Sequence, residues 1–176
     1  CNNLAVLYYD GRGGKKDYRQ AFKYYQIGCK KGVYKACNGL GLLYEDGLGG
    51  APRDPQKALS LYRKSCFAQE TAACLNVGYL YKYGKGVPKD PKKSFRIFEK
   101  ACRKGDHAGC EALAGLYRTV LGVARDEKKA AALYESACRG GNYSACNRLA
   151  VLLESMKGKN VNFREVRILY ERACRG

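Results

Sequence analysis

Two apolar patterns alternate along this chain, and both have helical spacing. The first follows a cysteine by three residues: Leu4-Ala5-Val6-Leu7-Tyr8, Leu40-Gly41-Leu42-Leu43-Tyr44, Val77-Gly78-Tyr79-Leu80-Tyr81, Leu113-Ala114-Gly115-Leu116-Tyr117 and Leu149-Ala150-Val151-Leu152-Leu153. With the cysteine as position 1, apolar side chains at positions 4, 7 and 8 trace one helical face, and a small residue at position 5 permits close approach. The second pattern reads Ala21-Phe22-x-Tyr24-Tyr25, Ala58-Leu59-x-Leu61-Tyr62, Ser94-Phe95-x-Ile97-Phe98, Ala130-Ala131-x-Leu133-Tyr134 and Val166-Arg167-x-Leu169-Tyr170. Between the two stand Gly13, Gly49, Gly86, Gly122 and Gly158, expected to end the first helix through a positive φ. Asp17, Asp54, Asp90, Asp126 and Asn162 then precede the second run as N-caps, with Pro55 and Pro91 at the first helical position.

The cysteines give the period. Cys29/Cys37, Cys66/Cys74, Cys102/Cys110 and Cys138/Cys146 are pairs eight residues apart, flanked by small residues such as Ser65 and Ala73, Ala101 and Gly109, Ala137 and Ala145. Cys1 and Cys174 fall on the same lattice. Aligning on it gives repeats 1–36, 37–73, 74–109, 110–145 and a truncated 146–176. Each repeat is a helix pair, so the expected fold is all-α, one α-solenoid domain over 1–176. The recurrent tyrosines are expected between helices rather than stacked on bases.

Apolar content of 46% is enough for a substantial core. Ten cysteines with no C-x-x-C and a single histidine, His107, do not suit zinc. An even count at regular spacing suits a disulfide framework, hence an oxidising compartment, secreted or periplasmic. No stretch has the length of a membrane span. The chain starts in mid-pattern, so a longer secreted parent is expected. A net charge of +17 favours acidic partners.

The string Leu40-Gly41-Leu42-Leu43-Tyr44-Glu45-Asp46-Gly47 … Asp54-Pro55-Gln56-Lys57-Ala58 … Leu61-Tyr62-x-x-Ser65-Cys66 resembles the Sel1-like repeat, and Val77 to Asp90 continues the match. With its cysteine pairs eight apart, the chain is similar to the Helicobacter cysteine-rich proteins, a secreted subgroup. Repeat five departs most, with Asn162, Val166 and Arg167 where the pattern prefers Asp, Ala and an apolar residue. The resemblance implies a TPR-like helical fold. It also brings an activity, since some of these relatives are described as penicillin-binding proteins with weak β-lactamase activity.

Within each pair, the first cysteine ends one helix and the second opens the next across a short turn. That places them within reach of a bond, so Cys29–Cys37, Cys66–Cys74, Cys102–Cys110 and Cys138–Cys146 are the expected disulfides. Cys1 and Cys174 have no partner at the lattice spacing within these residues.

No motif marks a reaction. None of the serines heads an S-x-x-K, no G-x-S-x-G is present, and no phosphate loop appears; Gly11 to Gly14 reads as a repeat turn. His107 reads as a solvated turn residue, and Glu99, Glu135 and Glu171 as solvated helix faces. The catalytic residues of a β-lactamase reading are therefore unknown, and neither cofactor nor metal is implied.

A solenoid's first helices line an extended concave surface that suits peptides or proteins, including host-derived ones. Positions 2, 6 and 9 are expected to face outward there. The candidate binding residues are Asn2, Tyr9, Asn38, Leu42, Glu45, Asn76, Tyr79, Lys82, Glu111, Arg118 and Asn147, with Leu75 in the same stripe. The asparagine amides both donate and accept, which suits a peptide backbone. Electrostatic adhesion to anionic surface components is the competing class, through Lys30-Lys31, Lys89 with Lys92-Lys93, and Lys128-Lys129. A β-lactam is the small-molecule alternative. Nucleic acid is disfavoured by the compartment.

Overall fold

A computed structural model describes residues 1–12, 14–119, 124–157 and 162–174. Among the described residues the chain is helical throughout, without a strand. The first helices of the repeats are α1 (Asn2–Asp10), α3 (Tyr34–Asp46), α5 (Thr71–Tyr83), α7 (His107–Arg118) and α9 (Tyr143–Lys157). The second helices are α2 (Tyr18–Lys30), α4 (Pro55–Phe67), α6 (Pro91–Arg103), α8 (Glu127–Arg139) and α10 (Phe163–Ala173). The helices form two compact units, Cys1–Asp90 with α1–α5 and Pro91–Gly176 with α6–α10. Within each unit every helix packs on its neighbours in chain order, the stacking of an α-solenoid.

The capping chemistry explains where the second helices start. Asp17, Asp54, Asp126 and Asn162 accept from the backbone N–H of Gln20, Lys57, Lys129 and Glu165 respectively. A second bond recurs beside each aspartate. The N–H of Asp17, Asp54, Asp90 and Asp126 donates to the carbonyl of Tyr8, Tyr44, Tyr81 and Tyr117, at 2.8 to 2.9 Å. The position-8 tyrosine thus sets the loop through its backbone, while Lys57 and Lys129 lie over the Tyr44 and Tyr117 rings at 4.4 and 5.5 Å.

The glycines that end the first helices are not the ones expected. Left-handed C-caps fall at Gly11, Gly47 and Gly84. Gly49 and Gly86 also have positive φ, but they lie two residues further on, where a Cβ would strike Tyr18 O or Pro55. Gly13, Gly122 and Gly158 lie outside the described residues.

The core follows the repeat positions with two corrections. Leu43, Leu80, Leu116 and Leu152 are buried, as are Leu40, Val77, Leu113 and Leu149. Each such burial contributes roughly 1.5–3 kcal/mol. Leu4 and Leu7 are instead 38% and 44% exposed, because α1 packs chiefly on α2 and only lightly on α3 among the described residues. Leu75, expected to face outward, is buried. The deepest position is the small one: Ala5, Ala114 and Ala150 are fully buried. At Gly41 a Cβ would sit 2.5 Å from the Tyr62 ring, and at Gly39 2.4 Å from the Tyr25 ring. So α3 is held between tyrosines of α2 and α4. In α10, whose sequence departs most, Val166 and Leu169 still face the core and Arg167 is exposed.

Four disulfides join α2, α4, α6 and α8 each to the first helix after it: Cys29–Cys37, Cys66–Cys74, Cys102–Cys110 and Cys138–Cys146. Their Cα atoms are 4.4 to 4.7 Å apart. Helices this close admit only small residues beside the bond. A Cβ on Gly28 would lie 2.7 Å from that of Ala36, and one on Gly109 2.6 Å from that of Ala101. Cys1 and Cys174 are free and exposed.

Two outcomes test this architecture. The paired variant Cys66→Ala/Cys74→Ala, which opens a loop of sequence separation 8, should lose about 2–3 kcal/mol in urea unfolding. An unchanged midpoint would remove the staple from the account. The second concerns alkali. Burial, aided by the negative charge of Asp10 and Tyr9, pushes the Tyr25 phenol up to about 12. Its stabilisation is complete below the unfolded value near 10 and is lost as pH rises from there through 12. Stability should therefore fall above pH ~10, and less steeply in Tyr25→Phe. Some slope should persist because burial also raises Tyr62 and Tyr134.

Candidate functional site

The expected binding residues lie on five first helices, and each unit presents its own set. In the first unit, Asn38 of α3 and Asn76 of α5 meet each other, Asn76 Nδ2 donating to Asn38 Oδ1 at 2.9 Å. Glu45, at the end of α3, accepts from the Tyr62 hydroxyl at 3.0 Å and from Lys85 Nζ at 2.9 Å. The Glu45 charge and bond add to burial in raising the Tyr62 phenol. These polar groups therefore fasten neighbouring helices.

The rest of that stripe is more open. Leu42, Tyr79 and Lys82 are half-buried. Tyr79 stacks with Tyr83 at 6.3 Å, and Lys82 Nζ lies 5.2 Å over the Tyr83 ring. Tyr9 meets Tyr18 and Tyr25 edge-on at 5.5 and 6.4 Å, and burial raises its phenol. Asn2 donates to its neighbour Asn3.

In the second unit Glu111 of α7 is a junction. One oxygen, Oε2, accepts from Asn142 Nδ2 at 2.9 Å; the other, Oε1, accepts from Ser144 Oγ at 2.8 Å and Arg148 Nε at 2.6 Å. Asn142 also caps α9 by accepting from Ala145 N–H, as Asp106 caps α7 through Gly109 N–H. Neither cap was anticipated, although both residues stand three before the amide they serve, which is the usual signature. Beneath the junction the Tyr134 hydroxyl is buried beside Arg148. Burial raises that phenol, opposed by the charges of Arg118 and Arg148. Asn147 is exposed on α9 and borders a shallow groove with Tyr143 and Cys174.

Sequence reasoning missed a second groove. Leu149, Leu153 and Met156 of α9 floor it, between Ala131 and Ala132 of α8 and Ile168 of α10. The signal was present: Ala131 stands where other repeats have Phe22, Leu59 and Phe95. His107 is exposed at the start of α7, its ring against Gly140. Glu99 and Glu135 each pair with the arginine four residues on, and Glu171 with Arg167, four residues before it.

As for serine chemistry, Ser65 and Ser94 are fully buried, and Ser65 Oγ donates to Tyr34 O at 2.8 Å. Ser144 stands beside a carboxylate committed to three donors. Among the described residues no cluster of His, Cys, Asp and Glu could hold a metal, and no helix is long and apolar enough to cross a membrane.

Disulfide-stapled helix pairs with polar links between repeats define a helical-repeat scaffold. The Sel1 repeat matches residues 1–33, 35–66, 71–106 and 108–142, and the chain belongs to the Sel1 repeat family. A Sel1 repeat protein from Oxalobacter formigenes is similar over 99% of this chain and 69% of its own, at 26% identity and a TM-score of 0.81. Cysteine-rich protein B of Helicobacter pylori aligns over 76% of this chain and 96% of its own, at 30% identity and a TM-score of 0.56. Cytochrome c oxidase assembly factor 7 of Xenopus tropicalis is 34% identical over 89 residues, 49% of this chain. The chain spans 38% of the length of that relative. Sel1 repeats generally mediate protein–protein interaction, and the disulfides fit an oxidising setting.

The junction is testable. Glu111→Ala should take their shared acceptor from Arg148 and Ser144 and one of two acceptors from Asn142, at a cost of about 0.5–1.5 kcal/mol. Amide exchange should quicken at the start of α9 before it does in α7. Uniform exchange in both helices would dissolve the junction.

Proposed function

We propose that this chain is a secreted or periplasmic bacterial scaffold that binds a peptide or protein partner along its first helices. One observation carries the reading. The five first helices hold five Lys and Arg against five Asp and Glu, so they are neutral in a strongly basic protein. A neutral face with tyrosines and amides suits the mixed apolar and hydrogen-bonding contacts of peptide recognition. In the first unit Leu42, Tyr79 and Lys82 are the contacts, supported by Tyr9 and by the linked Asn38, Asn76 and Glu45. In the second unit Arg118 and Asn147 are the contacts, with Glu111 fixing the frame around them; Asn2 extends the stripe on α1. The Helicobacter pylori neighbour and the disulfides support the secreted setting.

The test is a peptide library panned on the oxidised protein, followed by titration of the selected peptides. Tyr79→Ala or Asn147→Ala should weaken binding by about ten-fold, whereas Lys64→Ala on α4 should not. Peptides indifferent to both first-helix changes would sink the proposal. So would saturable turnover of a reporter β-lactam that copurifies with the folded protein.

A further inference from the structure

The charge that the first helices lack is concentrated on the second ones. Together α2, α4, α6, α8 and α10 carry seventeen Lys and Arg against five Asp and Glu. Each of the other second helices gives at least one cation an internal partner, such as Lys23 over the Tyr24 ring on α2. Lys57 lies over Tyr44 and Arg63 bonds the Tyr81 hydroxyl on α4. On α8 Lys129 pairs with Asp126 and Arg139 with Glu135, and on α10 Arg167 pairs with Glu171.

Helix α6 differs. Its exposed residues are Lys92, Lys93, Arg96, Lys100 and Arg103, and no other residue type is exposed on it. Its single carboxylate, Glu99, is engaged by Arg103 at 2.9 Å. Lys92, Arg96 and Lys100 have no internal partner among the described residues. Residues 92, 96, 100 and 103 follow the four- and three-residue steps of one helical face, so the cations form a row roughly 16 Å long. Like charges four apart repel and weaken the helix.

We infer that the row Lys92, Arg96, Lys100 and Arg103 on α6 is a docking strip for a linear sulfated or uronate-bearing polysaccharide. Charge complementarity carries this assignment. A protein partner would need apolar anchors on the strip, and α6 keeps Phe98 and Ala101 in the core. A membrane-lying helix would offer an apolar face to the lipid, which α6 has likewise buried. A long polyanion needs neither, only fixed negative groups opposite a line of cations. Between nucleic acid and polysaccharide, the oxidising setting favours the polysaccharide. This surface is separate from the first-helix face and stands or falls independently of it.

The experiment titrates the oxidised protein with a heparin octasaccharide at about 0.15 M salt. It compares Lys92→Gln/Arg96→Gln/Lys100→Gln on α6 with Arg19→Gln/Lys23→Gln/Lys30→Gln on α2. Both triples remove three exposed charges and keep good helix formers, and circular dichroism checks that both fold. The α6 triple should weaken binding at least about ten-fold and flatten its salt dependence by about two to three released ions, the α2 triple less than about two-fold. Equal losses would reduce the strip to general attraction and overturn the proposal. So would the absence of saturable binding. Tighter binding to phosphatidylserine vesicles or duplex DNA, with the same dependence on α6, would overturn the polysaccharide as its occupant.

Discussion

The structure depends on how closely the helices approach where one repeat hands over to the next. A Cα separation of 4.4 to 4.7 Å at the four disulfides is shorter than any large side chain allows beside it. Hence the small residues before each cysteine: Gly28 against Ala36, Gly109 against Ala101, and the fully buried Ser65, Ala73, Ala137 and Ala145. Once the handover is fixed, the orientation of each following helix is fixed with it. The tyrosines then fill what the glycines leave open, as Tyr62 does at Gly41.

Covalent and non-covalent constraints divide the work. The disulfides limit the unfolded chain locally, each across a sequence separation of 8. The longer-range order comes from buried leucines and aromatic rings, and from a few polar links. Asn38 with Asn76 and Glu111 with Arg148 reach from one repeat to the next. Such links matter most in a repeat array, where each unit touches only its neighbours and no global core ties the ends together.

The two helix sets also divide the surface chemistry. Neutral first helices can present tyrosines and amides without a repulsive field of their own. Basic second helices carry the excess positive charge and, on α6, line up five cations against the single carboxylate Glu99. The two surfaces would not compete for one ligand, because one offers hydrogen-bonding and apolar contacts and the other only charge.

The repeats, the helix pairs, the N-caps at Asp17, Asp54 and Asp126, and the cysteine lattice were legible in the sequence because each is local chemistry. Their partners lie within about one helical turn or one short loop, so spacing alone reveals them. The C-caps were misread by two residues, since left-handed glycines cluster in those loops and only the backbone bond from Gly47 N–H to Leu43 O separates Gly47 from Gly49 in role. What tertiary structure alone decided is which stripe residues remain available. Asn38, Glu45 and Glu111 look like free ligands in the sequence, yet their partners Asn76, Lys85 and Arg148 stand 38, 40 and 37 residues away. No periodicity encodes whether such a pair meets, because that follows from helix rotation and rise set by packing. The burial of Leu75 and the exposure of Leu4 and Leu7 have the same origin: a helix pattern names a face, and only the neighbouring helix determines whether that face is covered.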